Sequence, residues 1–140
     1  MEHLYISIVS HGNDDDIINN SNLREINSLD NVTVIIRDNL SSDRLKGYCK
    51  NTYFEYNSSD AVLGFGANNN INFEVASKLG MRKTDWFILF NPDVDISAEM
   101  INKLSGIIGN SSCQLLAINL FFDVNFSQME YSLRKFPNFI

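Results

Sequence analysis

The chain has 140 residues, a formal net charge of −6 at pH 7, and 44% hydrophobic against 20% charged residues. That length suits one domain with a single core, and the acidic balance argues against a nucleic-acid partner, whose grooves are normally basic. No run is long enough to span a bilayer, no basic start with an apolar stretch marks a signal peptide, and Cys49 and Cys113 fit no zinc spacing, so both read as reduced thiols of a cytosolic protein.

Leu4 to Val9 is β-rich and apolar and predicts a first strand, ending in the polar loop Ser10-His11-Gly12-Asn13. Asp14, Asp15 and Asp16 suit the positive end of a helix dipole, and Ile17, Ile18, Leu23, Ile26 and Leu29 give that helix an apolar face. Val32 to Ile36 predicts a second buried strand, closed by Arg37-Asp38-Asn39. Ser41 to Lys50 suits a short helix and Tyr53 to Tyr56 a short strand. Gly64-Phe-Gly-Ala-Asn-Asn-Asn70 reads as a loop, because asparagine and glycine favour turns. Ile71, Val75 and Leu79 then recur at helical spacing, with Gly80 as the stop.

Trp86-Phe-Ile-Leu-Phe90 is an apolar run that reads as a strand buried on both faces. Pro92 cannot donate to a ladder and ends it. Ser97 can cap a helix with Met100, Ile101, Leu104, Ile107 and Ile108 on its apolar side, stopped by Gly109-Asn110. Leu115 to Phe122 and Glu130 to Phe136 predict two more strands, the second carrying Arg134 and Lys135. This alternation predicts an α/β fold, a mostly parallel sheet with helices on both faces.

Three strands end in polar loops bearing Asp or Asn, and in such sheets ligands bind at the carboxyl ends. Asp93 and Asp95 stand there after the 86–90 strand. A carboxylate at that place is costly to bury unless it meets a cation or a donor, so Asp93 reads as a ligand to a divalent metal beside a diphosphate. The plainer alternative is an Asx turn made by Asn91, Asp93 and Asp95.

Five segments taken together carry a family resemblance: Val9-Ser10-His11-Gly12, Val34 to Asn39, Gly64 to Asn70, Ile88 to Val94, and Tyr131-Ser-Leu-Arg-Lys-Phe-Pro137. They resemble the amino-terminal half of family 2 glycosyltransferases with the GT-A fold, most closely bacterial O-antigen dTDP-rhamnosyltransferases. The resemblance implies a Rossmann-like nucleotide-binding half over residues 1–140 and a dTDP-sugar or UDP-sugar donor. It implies inverting transfer of L-rhamnose to a polyprenyl-diphosphate-linked acceptor, in O-antigen or capsule synthesis. It also implies a cytoplasmic protein in peripheral contact with the inner face of the plasma membrane.

By position, the resemblance gives the nucleotide base to Asp38, and the base and ribose to the loop of Ser10 and His11. Asn69 and Asn70 would lie near the nucleotide, and Asn91 at ribose or phosphate. Asp93 would hold Mg2+ or Mn2+, and Arg134 and Lys135 would reach the diphosphate or acceptor. Asn91 replaces the first acid of the family's Asp-X-Asp pattern. The family's catalytic base lies beyond the Arg-Lys-Phe-Pro segment, so no base is assigned. The expectation is a donor-binding half without the acceptor-binding, base-bearing half, and with little or no transfer of its own. Two other readings are a non-catalytic α/β module that forms homo-oligomers and a sugar nucleotidyltransferase. The acidic continuation of the Ser10–Asn13 loop argues against the nucleotidyltransferase, which needs a basic glycine-rich loop for a triphosphate.

Overall fold

The structure, a computed structural model, describes residues 2–58, 61–112, 114–117, 121–123 and 125–129. The chain divides into two compact units, Met1–Asn110 and Ser111–Ile140.

The first unit is built on four parallel strands: β1 (Leu4–Ser10), β2 (Val32–Asp38), β3 (Glu55–Ser58) and β4 (Trp86–Phe90), in the order β3-β2-β1-β4. β1 is buried along its whole length because it has a neighbour on each edge and helices on each face. Side chains alternate along a strand. Leu4, Ile6 and Ile8 with Val34 and Ile36 therefore meet one large core, while Tyr5 and Ile35 meet a smaller one on the opposite face.

The large core is covered by α1 (Asp14–Asn19), α2 (Ser21–Asn27), α3 (Asp43–Thr52) and α5 (Ala98–Ile108), through Ile17, Leu23, Ile26, Leu45, Ile101 and Leu104. The expected helix from Asp14 onward is thus two helices. Asn20 takes an extended conformation and its side chain accepts from the Leu23 N–H, capping α2. Ser42 and Ser97 cap α3 and α5 in the same way. Tyr53, expected to open the third strand, instead ends α3 in a left-handed conformation (φ 58°), and the strand starts at Glu55.

The small core lies under α4 (Phe65–Lys78), which departs most from expectation. Residues 65–70 are its first turns, not a loop. Its inward face is Asn68, Asn72 and Ala76 at helical spacing, whereas Leu79 is 45% exposed and Ile71 and Val75 are half-buried. The reason lies in the sheet. Ser7 on β1 donates its hydroxyl hydrogen to Asn69 Oδ1 at 2.6 Å and accepts from Asn72 Nδ2 at 2.8 Å. Asn57 Nδ2 reaches Asn72 Oδ1 at 2.9 Å, and Arg37 donates to Asn57 Oδ1 and Asn68 Oδ1, each at 2.9 Å. Poor helix formers are held helical because unpairing these buried amides would cost more than their propensity deficit.

In the second unit, Phe121 and Met129 form an antiparallel bridge around a turn whose N–H groups, from Asn125, Ser127 and Gln128, converge on the Asp123 carboxylate. Residues 115–117 are not a strand, which corrects that end of the expected Leu115–Phe122 strand. The expected strand over Glu130–Phe136, with Arg134 and Lys135, lies outside the described residues.

Candidate functional site: a cleft where the strand order reverses

Parallel strands put all their carboxyl ends at one edge. Succession runs outward from β1 through β2 to β3, then resumes on the other side of β1 with β4. The order of strands thus reverses beside β1, the place where ligands bind in open sheets of this kind. A cleft of about 290 Å3 lies at this edge, lined by Val9, His11 and Asn13 after β1, Asn39 after β2, and Asn91 and Pro92 after β4. Leu63, Phe65 and Asn68, at the start of α4, complete it. The three strand-end loops expected to converge do so.

The residues that carry the convergence differ in part from those expected. His11 and Asn91 line the cleft. Ser10 is fully buried; its hydroxyl donates to Asp14 Oδ1 at 3.3 Å and accepts from the Asn13 N–H at 3.2 Å, so it shapes the loop from beneath. Gly12, at φ 83°, gives that loop its bend, and a Cβ there would be strained by the backbone alone.

Asp38 is fully buried. Its carboxylate accepts from Leu40 N at 3.0 Å, Ser42 N at 2.6 Å and the Tyr56 hydroxyl at 2.9 Å. Burial, reinforced by the hydrogen bond to Asp38, pushes the Tyr56 phenol up to about 12, so it stays protonated and donating. Asn69 is buried on Ser7, and Asn70 is exposed on the outer side of α4. Asp93 is exposed in the turn after β4 and is not among the residues lining the cleft. Arg134 and Lys135 lie outside the described residues.

Strand alternation explains the difference. Val34, Ile36 and Asp38 share one face of β2; Ile35, Arg37 and Asn39 share the face under α4. The cleft opens on the α4 side, so Asn39 reaches it and Asp38 points away. Asn39 was legible from this period-2 pattern. Asn13, Leu63, Phe65 and Asn68 carried no comparable signal.

Asn39 is 3% exposed and clamps the backbone of Leu63: its Oδ1 accepts the Leu63 N–H and its Nδ2 donates to the Leu63 carbonyl, both at 2.9 Å. Asn68 Nδ2 donates to the same carbonyl at 3.0 Å and is held in turn by Arg37. Asn39 Nδ2 also meets His11 Nδ1 at 3.0 Å. The wall is thus rigid and rich in neutral donors and acceptors, with the Arg37 charge behind it.

Among the described residues no group of three or more acidic, histidine or cysteine side chains could cage a metal. Asp95 is engaged by Asn22 Nδ2 at 2.7 Å, while Asp93 makes no hydrogen bond or ion pair with other described residues. Mg2+ commonly takes one or two carboxylates with substrate phosphates and water. A single exposed carboxylate such as Asp93 would hold such a cation only with further ligands from outside the protein. Cys49 is buried and its thiol is pushed up to about 12, chiefly by that burial, which leaves it inert.

No family model matches the chain. It is 33% identical over 136 residues to the rhamnosyltransferase WbbL of Escherichia coli (strain K12), an alignment covering 96% of this chain and 51% of that protein. The chain thus spans about half the length of this curated relative. Among solved structures it resembles S. aureus TarS 1–349, with a TM-score of 0.56 at 12% identity over 76% of this chain and 32% of that one. This second likeness concerns the fold.

Proposed function

The chain belongs to the family 2 glycosyltransferases of the GT-A type, whose amino-terminal half it matches, and on that footing we propose that its cleft binds the nucleotide of an activated sugar donor. The observation that carries the reading is the cleft's position: it joins the ends of β1, β2 and β4 at the point where the strand order reverses. Its polar lining of amides and an imidazole suits the carbonyl and N–H edge of a pyrimidine and the hydroxyls of ribose.

The roles proposed for the cleft residues rest on their contacts, and those for Asn70, Asp93, Arg134 and Lys135 on the family resemblance. His11, Asn39 and Asn91 face the nucleotide, and Phe65 supplies apolar surface. Asp38 supports the base site from below, holding the turn from which Asn39 projects. Asn69 acts through Ser7 and Asn70 from the rim. Asp93 binds Mg2+ or Mn2+ together with the diphosphate, and a bound cation would stabilise the charge that builds on the leaving nucleoside diphosphate. Arg134 and Lys135 are proposed as further diphosphate or acceptor contacts.

The relative's name supports rhamnose as the transferred sugar; a dTDP-L-rhamnose donor, a lipid-linked acceptor sugar, inversion and a place in O-antigen or capsule synthesis are further parts of the proposal. A lipid-linked acceptor would place the protein in the cytoplasm, at the inner face of the membrane. Among the described residues no helix is long and apolar enough to cross a bilayer.

Calorimetric titration of the chain with dTDP, UDP and their sugars, with and without Mn2+, tests the reading. Saturable binding that favours one pyrimidine diphosphate and strengthens with Mn2+ is expected. No binding of either nucleotide would overturn it.

A further inference from the structure

We infer that Asn39 is a positioning residue that fixes the tautomer of His11, so that the imidazole offers an Nε2–H donor to the cleft. The inference deepens the proposed nucleotide site and rests on that reading for its ligand.

The argument begins with the Asn39 amide. Its oxygen and nitrogen are told apart by partners that cannot exchange roles: the Leu63 N–H can only donate, to Oδ1 at 2.9 Å, and the Leu63 carbonyl can only accept, from Nδ2 at 2.9 Å. A flipped amide would set two donors and two acceptors against each other. The Leu63 carbonyl is held a second time by Asn68 Nδ2 at 3.0 Å, and Asn68 is fixed by Arg37 Nε at 2.9 Å. At 3% exposure Asn39 has no solvent alternative.

One Nδ2 hydrogen of Asn39 goes to Leu63, and the other points at His11 Nδ1, 3.0 Å away. An amide nitrogen cannot accept, so Nδ1 must. A neutral imidazole that accepts at Nδ1 carries its hydrogen on Nε2. Among the described residues Nε2 has no partner, and the ring lines the cleft. His11 is therefore a hydrogen-bond donor to an oxygen of the ligand. It is not a base for an acceptor hydroxyl, because Nε2 has no free lone pair in this tautomer.

The direct test reads the imidazole nitrogens of the 15N-histidine-labelled protein by long-range 15N–1H correlation NMR, without ligand. His3 is the one other histidine, and a His3→Gln variant assigns the signals. His11 should show a protonated Nε2 and an unprotonated Nδ1. Asn39→Asp, which offers only oxygens, should move a hydrogen onto Nδ1. A wild-type His11 with its hydrogen on Nδ1, or an unchanged pattern in a folded Asn39→Asp, would overturn the inference. The wild-type reading decides even if that variant does not fold.

A second arm uses dTDP as the probe. His11→Gln places an amide N–H near the position of Nε2–H, whereas His11→Asn places it nearer Nδ1. The glutamine variant should therefore bind dTDP about three- to tenfold more tightly than the asparagine variant, the span of one ordinary hydrogen bond. Equal losses would overturn the donor role. Failure of the wild type to bind dTDP or UDP would instead overturn the nucleotide reading of the cleft, with the Asn39 lock decided by the NMR pattern alone.

Discussion

Ser7 and Asn69 share the shortest of the buried contacts between the sheet and α4, a hydroxyl-to-amide hydrogen bond of 2.6 Å in the middle of β1. It belongs to a polar run from Asn69 through Ser7, Asn72, Asn57 and Arg37 to Asn68, which carries the wall of the cleft. Ser7→Ala removes the hydroxyl and leaves two buried amides short of a partner. It should cost about 1–3 kcal/mol, read as a lower urea midpoint with an unchanged slope. A variant as stable as the parent would show that the run contributes nothing to folding.

Asp93→Ala should separate metal from nucleotide. Asp93 is exposed and makes no bond to the described residues, so the variant should stay within about 0.5 kcal/mol of the parent in stability. In calorimetry its dTDP affinity should be the same with Mn2+ and with EDTA, where the parent's is strengthened by Mn2+. A preserved Mn2+ effect would remove Asp93 from the proposed site.

Asp38→Asn should act on folding before binding. The new amide nitrogen would oppose the Ser42 N–H and the Tyr56 hydroxyl at one oxygen position, or the Leu40 N–H at the other, all of which now donate to the carboxylate. A loss of about 1–3 kcal/mol is expected, while the folded variant's dTDP affinity falls less than about threefold, under ~1 kcal/mol. A large affinity loss at unchanged stability would instead give Asp38 direct contact with the nucleotide.

Asp85 ties the start of β4 to the start of β1. It accepts from the His3 N–H at 2.9 Å, the Arg82 N–H at 2.7 Å and the Arg82 guanidinium at 2.7 Å. The guanidinium hydrogen bonds and the backbone donors hold its carboxyl well below the usual carboxylate range. A lowered folded-state value means the stabilisation is complete above the unfolded value of about 3.9 and is lost as pH falls below it. Asp85→Asn should therefore be less stable than the parent at neutral pH, by about 1–3 kcal/mol. The gap should narrow in acid below about pH 4. A gap independent of pH would mean that the charge is immaterial.

The sheet was legible because its strands announce themselves: Leu4 to Val9, Val32 to Ile36 and Trp86 to Phe90 are apolar runs bounded by polar residues, and each appears within a residue or two of its expected ends. Trp86 to Phe90, expected to be buried on both faces, is instead the last strand in the order of the described sheet and is mostly half-buried, with Leu89 51% exposed. The meeting of their loops followed from parallel topology. α4 was not legible at its start, because local propensity makes Asn68, Asn69 and Asn70 turn residues. Partners waiting on β2 and β1 hold Asn68 and Asn69 in the helix, as one on β3 holds Asn72, and those partners are distant in sequence. Asp38 was assigned to the cleft by position in a motif. The alternation of β2 instead turns it toward α3 and delivers its neighbour Asn39.

The strand order also governs how the chain can assemble. Leu4 pairs with Val32 on one side and with Trp86 on the other, so β1 acquires its two neighbours at very different separations along the chain. Contacts between distant residues carry a larger loop-closure penalty and form more slowly. The three strands β1, β2 and β3, completed by Ser58, can come together while β4 is still unplaced. The edge that carries the cleft therefore depends on the pairing of longest sequence separation in the sheet, Leu4 with Trp86, whose loop-closure cost is the largest.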